Sequence, residues 1–164
     1  MIVRPAKQGD MPSVHLMAHD TWGEGRTRDE HVALCLTLPK YAKGRWFVLE
    51  INGAPVSSLI CYRNAFGLPE NIMGIGSVAT TPASRKKGLA SFLTTEVMER
   101  LSEDDGIDGF FLYSDVNPSM YEKLGFVKLP KDMQRYERSV AMIRPVKKSL
   151  RLLVGGDFKV PDYF

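Results

Sequence analysis

The stretch GFFLYS, residues 109–114, is a short apolar run with no polar alternation. A strand with one face in water alternates apolar and polar positions, so an uninterrupted run describes a strand covered on both faces. The upstream sequence supplies a cover. Leu89, Phe92, Leu93, Val97 and Leu101 recur at helical spacing, and the pattern stops at an acidic end and Gly106. Before that helix lies NIMGIGSVAT, residues 71–80, whose glycines suggest a bulge or a close approach of another backbone. Strand 71–80, helix 87–103 and strand 109–114 therefore read as a right-handed parallel crossover. A chain built around such a unit is a mixed α/β layer fold.

The remaining segments extend that reading. MIVRPA is a first strand, Asp10 opens a helix over residues 11–20, and His31, Leu34, Cys35 and Leu38 share one face of a helix over 29–38. Residues 45–51 and 56–63 are strands joined at Asn52-Gly53, a strong hairpin signal. In NPSMYEKLGF, residues 117–126, Asn117 suits an N-cap, Pro118 the first helical position and Gly125 the stop. Residues 136–143 read as a closing strand, and LRLLV near the C-terminus as one more.

With 164 residues and no repeat or linker, one domain spanning 1–164 is expected. No apolar stretch is long enough to span a membrane, and the N-terminus lacks a signal-peptide pattern. Cys35 and Cys61 lie far apart in apolar contexts, which favours two reduced thiols over a disulfide and a cytoplasmic location. The net charge of +3 does not by itself call for nucleic acid.

The basic triplet Arg85, Lys86 and Lys87 stands where the long helix begins. A helix N-terminus already carries partial positive charge and unpaired N–H groups, so three cations there are mutually unfavourable unless an anion joins them. The chain leaves a strand, turns at Pro82 and enters the helix at Gly88, an arrangement that presents consecutive N–H groups to a phosphate. The spacing is neither that of a Walker loop nor that of a dinucleotide fingerprint. A solvated basic cluster is the plain alternative.

These residues resemble the GNAT superfamily of acyl-CoA-dependent N-acetyltransferases. Its Arg/Gln-x-x-Gly-x-Gly/Ala loop is matched by Arg85, Gly88 and Ala90, with Pro82 in the expected place and Thr80 where Val is usual. Downstream, Asn117, Tyr121, Gly125 and Phe126 match a second family pattern. The resemblance is dense over residues 72–127. It implies a GNAT-type α/β fold: a central mixed, mostly antiparallel sheet with a parallel, splayed strand pair and flanking helices.

The resemblance further implies acetyl-CoA as co-substrate. The pantetheine arm would lie between strands 71–80 and 109–114 and pair with the backbone of Val78 and Thr80. Arg85, Lys86, Lys87, Gly88, Leu89 and Ala90 would hold the pyrophosphate, with Asn117 beside the coenzyme. The Val78 N–H would polarise the thioester carbonyl, and Tyr121 would protonate the leaving thiolate, a phenol being neutral below a pKa of about 10. Tyr121 could instead only pack against the sheet. The general base has no motif, because strand 71–80 lacks a carboxylate; Glu50, Glu70 and ordered water are the choices. Trp22, Glu24 and Arg26 in loop 20–30 either border the acceptor or belong to a loop anchored by its tryptophan. Asp115 either meets substrate or caps a turn.

His15 and His19 lie one helical turn apart without a third ligand, and surface histidines are expected rather than a metal site. Segment 144–151 either meets an acidic partner or is a solvated strand edge. The expected function is acetyl transfer to a primary amine, small-molecule or peptide, with no nucleic-acid or membrane partner and a homodimer left open. The rivals are a non-catalytic acyl-CoA-sensing or protein-binding module and a nucleic-acid binder built on the basic triplet.

Overall fold

The apolar run at residues 109–114 becomes strand β5, Gly109–Ser114, buried at every position. Its flanks show why. On one side it pairs in parallel with the start of β4 (Ile72–Thr80), from Ile72 opposite Gly109 to Gly74 opposite Phe111. On the other it pairs antiparallel along its whole length with β7 (Val140–Pro145). The computed structural model describes residues 1–103 and 106–164; Asp104 and Asp105, within the expected acidic end of the long helix, lie outside them. The strands make one seven-stranded sheet in the order β1-β2-β3-β4-β5-β7-β6, with β1 Ile2–Pro5, β2 Gly44–Ile51, β3 Ala54–Tyr62 and β6 Val127–Lys128.

Contacts within the chain group into two compact units. One comprises Met1–Cys61 and Ser77–Val97. Here helices α1 (Met11–Leu16), α2 (His19–Trp22), α3 (Arg28–Thr37) and α4 (Pro39–Ala42) precede the hairpin β2–β3. Val14, Met17 and Val48 form a buried cluster against which Trp46 and Ala79 pack. Asn52 and Gly53 both take positive φ, at 52° and 80°, as a tight hairpin turn requires. The expected helix over 11–20 is interrupted, because Ala18 (φ −122°, ψ 22°) leaves helical geometry. Asp10 stands at the N-cap position of α1 without capping it; its carboxylate is taken by Arg4 at 2.6 and 3.1 Å and by the Lys7 N–H at 2.7 Å. Thr27 does cap α3, in a reciprocal box with Glu30. On α3 the buried positions are His31 and Cys35, whereas Leu34 is exposed.

The other unit comprises Tyr62–Gly76 and Met98–Phe164. Its core gathers Ile107, Phe110, Phe111, Met142 and Ile143, all fully buried. The segment expected as a last strand is instead helix α7, Leu150–Leu153: the Leu152 and Leu153 N–H groups both donate to the Ser149 carbonyl. β6 has only two residues, too few to show a period, and is recruited by pairing with β7. Strand β7 starts later than expected because Tyr136 and Ser139 bridge across a turn first. Helix α5, Leu89–Ser102, and strand β4 each contribute residues to both units.

Candidate active site

The loop entering α5 is built by left-handed backbone. After β4 a single 3-10 turn, Pro82–Ser84, is closed by the Ser84 N–H on the Thr81 carbonyl at 2.9 Å. Lys86 then takes φ 61° and Gly88 φ 74°. These two residues explain why α5 starts at Leu89 rather than at 87. Among the described residues, no acceptor meets the N–H groups of residues 86–90, and the first turn of a helix supplies none. A Cβ built on Gly88 would meet no atom within 4 Å. The open space at Gly88, the unpaired N–H groups and the helix dipole suit a phosphate.

The three cations of the loop behave differently. Lys86 is exposed, and its ammonium has no partner among the described residues. The Lys87 Nζ donates to the Ala83 carbonyl at 3.0 Å and folds back along the loop. Arg85 is engaged through all three nitrogens: Nε donates to the Thr80 carbonyl at 3.0 Å, and Nη2 to the Met17 carbonyl at 2.9 Å. Both terminal nitrogens also grip Asp20, at 2.6 and 2.7 Å. That pairing holds the Asp20 carboxyl below the ordinary carboxylate range. Leu89 and Ala90 are half-buried in the first turn of α5.

Strand β4 carries the second element. Ser77 adopts φ 46° in mid-strand, the mark of a bulge, and Val78 follows it half-buried. Thr80 is more than a stand-in for valine: its hydroxyl is buried and bonded to Ser57 Oγ at 2.9 Å, and Ser57 also reaches the Ala79 carbonyl at 2.8 Å. The Ser77 hydroxyl faces Tyr41, which stacks on His15 at 5.3 Å and meets Trp46 edge-on at 5.2 Å.

In the other unit, Asn117 Oδ1 accepts the Ser119 N–H at 3.0 Å and opens the short helix α6, Ser119–Glu122. Gly125, at φ 86°, closes it, with the Phe126 N–H returning to the Tyr121 carbonyl. Tyr121 is thus fixed at both ends of one turn, 6% exposed, with Phe126 edge-on at 5.9 Å. Burial, and secondarily the negative Asp115, push its phenol up to about 12. Its hydroxyl makes no hydrogen bond among the described residues and remains a proton donor. Asp115 is already committed: Ser139 Oγ donates to Oδ1 and the Tyr163 hydroxyl to Oδ2 at 2.6 Å.

The remaining candidates divide by exposure. Trp22 is 42% exposed, so it does not anchor its loop by burial. Glu24 takes φ 50° and pairs with Arg26 at 2.8 Å. Glu50 is tied to Arg4 at 2.7 Å, while Glu70 is exposed ahead of β4. His15 is buried, not on the surface as expected, and the His19 Nε2 is bonded to the Arg26 carbonyl at 2.7 Å. Among the described residues no cluster of His, Cys, Asp or Glu is arranged to hold a metal ion. Both cysteines are free and buried, and no helix of the described residues is long and apolar enough to cross a membrane. Sequence reasoning missed Asp20, Tyr41 and Tyr163, each joined to its partner across dozens of residues with no local pattern to reveal it.

A mixed sheet with one parallel pair and a left-handed turn before the crossover helix suits an acyltransferase of the acyl-CoA type. The model of the acetyltransferase (GNAT) domain matches residues 3–128, and the chain belongs to that family. No curated protein matches it. A GNAT-family N-acetyltransferase from Escherichia coli (YhbS), in complex with CoA, superposes with a TM-score of 0.71 at 17% identity, covering 99% of this chain and 89% of that one. A ribosomal-protein-alanine N-acetyltransferase from Brucella melitensis gives 0.65 at 16% identity, over 89% of this chain and all of the other. N-acetylglutamate synthase from Neisseria gonorrhoeae, complexed with coenzyme A and N-acetyl-glutamate, gives 0.63 at 18% identity over 88% of this chain, but only 34% of that longer one. At such identities the likeness is one of fold.

Proposed function

We propose that the protein transfers an acetyl group from acetyl-CoA to a primary amine by direct attack. The observation that carries this reading is the loop at residues 85–90, whose N–H groups and Gly88 space fit a pyrophosphate. Residues 86–90 hold the phosphates chiefly through backbone N–H groups, with the Lys86 ammonium adding a full charge. Val78, placed just after the bulge at Ser77, offers its N–H to the thioester oxygen, where negative charge develops as the amine attacks. Val78 and Thr80 line the strand edge along which the pantetheine amides pair, and Asn117 fixes the turn carrying Tyr121. The co-substrate supplies the activated acyl group, and Tyr121 gives its phenolic proton to the departing sulfur.

Trp22 and Glu24 are the residues we assign to the acceptor side, because both are exposed, one at the end of α2 and the other in the turn after it. Asp115 supports the site by fixing the end of β5 rather than as a base, since both its oxygens are occupied. Glu50 is likewise engaged, by Arg4. Of the expected choices, Glu70, exposed ahead of β4, and ordered water are left to take the proton of the amine.

Release of free thiol from acetyl-CoA, measured across a panel of metabolite amines, polyamines, lysine peptides and peptide N-termini, tests the proposal. Turnover with at least one class is expected. Tight coenzyme binding without turnover on any class would replace it with an acyl-CoA-sensing module, a reading that the lack of a free carboxylate on β4 favours.

A further inference from the structure

Arg85 looks like a phosphate ligand in the sequence, but its guanidinium is spent on other work. Four hydrogen bonds tie it to three segments: the end of β4 at Thr80, the Met17 carbonyl and the Asp20 carboxylate of α2. The Met17 carbonyl lies where α1 has ended and α2 has not begun. A carbonyl at such a helix end needs an outside donor, and Arg85 supplies it across 68 residues of sequence. Asp20, in turn, sits two residues before the exposed Trp22.

The Arg85–Asp20 pair is partly exposed, 36% at Arg85 and 49% at Asp20. An ion pair in that setting adds little to global stability. Its geometry is nonetheless the bidentate fork that fixes direction as well as distance. It stands at the root of a loop that must hold two left-handed residues, Lys86 and Gly88, with no partner among the described residues for the N–H groups that follow. A loop with so few internal bonds needs an anchor at its base.

We propose that Arg85 and Asp20 act together as positioning residues, a strut that holds the phosphate loop in its binding form and joins it to α2. The strut rests on the reading that residues 86–90 take the coenzyme phosphates. It assigns Asp20, an acidic residue beside an anion site, a role in favour of anion binding. Simple electrostatics gives the opposite sign: removing a negative charge near a polyphosphate tightens binding, and a freed Arg85 adds a cation.

Two measurements on Asp20→Asn decide the matter. In isothermal titration with CoA, the strut predicts about tenfold weaker binding, with Asp20→Glu falling between the variant and the native protein. Unchanged or tighter binding in Asp20→Asn overturns it. Limited trypsinolysis without CoA reads the same device independently of any coenzyme. Cleavage after the exposed Lys86 and Lys87 should quicken at least threefold in Asp20→Asn and return toward the native rate in Asp20→Glu, with circular dichroism unchanged. Native-rate cleavage in Asp20→Asn overturns the strut. If the native protein binds no CoA, the coenzyme reading fails while the trypsin result still tests the anchor.

Discussion

Gly88 has φ 74° and nothing within 4 Å of where a side chain would begin. A β-branched residue is strained at that φ and fills the space assigned to a phosphate. Gly88→Val should therefore raise the CoA dissociation constant more than tenfold, at least about 1.4 kcal/mol, with fold retained by circular dichroism. Native affinity in a folded Gly88→Val protein would remove the phosphate cradle. Tyr121 is tested differently. A donor that acts only on the leaving sulfur stabilises charge absent from the bound ground state, so Tyr121→Phe should lower kcat by roughly ten- to a thousandfold and leave CoA affinity nearly intact. Native kcat with the best amine would make Tyr121 a packing residue. The backbone settings of both residues were legible in the sequence, because a glycine after a basic triplet and a capped Tyr-x-x-x-Gly-Phe turn are local patterns. The fate of Arg85 was not, since its main partner lies 65 residues away and a bare sequence cannot distinguish a free cation from a paired one.

Among elements, β4 shows how far periodicity carries and where it stops. Its apolar run foretold a strand and its glycines a bulge or a close approach of another backbone, but the left-handed residue in it is Ser77, a non-glycine with φ 46° that no propensity marks. The glycine at 74 serves a different purpose. A Cβ there would stand 2.8 Å from Leu68 Cδ1 and 2.9 Å from Phe164 Cζ, so the position is reserved for the terminal aromatic ring. That ring is buried among Tyr62, Phe66, Phe111 and Tyr113. The segment before it is pinned by the Tyr113 hydroxyl on the Pro161 carbonyl and the Asp162 N–H on the Phe66 carbonyl. The last residues have no period of their own, so their docking could not be read from the chain. Gly74→Ala should overpack this contact and destabilise by about 1–3 kcal/mol. Urea midpoints at unchanged slope should show Gly74→Ala and Phe164→Leu coupled, the double variant losing less than the sum. Strict additivity would show that the ring does not meet β4.

For the molecule as a whole, buried titratable groups set a pH window. Burial, with the charge of His31 adding to it, lowers His15 from 6.5 to about 4. A group whose folded pKa is depressed stabilises above its unfolded pKa and loses that contribution as pH falls, because the unfolded chain takes the proton first. The loss should therefore run from about pH 6.5 down to about 4 and amount to about 2 kcal/mol by pH 5. At the other end, burial raises Cys61, Tyr113 and Tyr121 to about 12. Groups kept neutral in this way stabilise below their unfolded values of about 9 to 10 and lose that contribution as pH rises through the folded ones. Maximal stability is expected between about pH 6.5 and 9. The acid limb isolates one side chain. His15→Phe preserves a ring against Tyr41 and Trp46, which lie 5.3 and 5.7 Å from the imidazole, while removing the titration. Urea unfolding at pH 7.5 and pH 5 should show the native protein losing about 2 kcal/mol more than the variant across that interval. Equal losses in the two proteins would mean that His15 protonates as readily folded as unfolded, and that the layer of α1 against Tyr41 and Trp46 admits water.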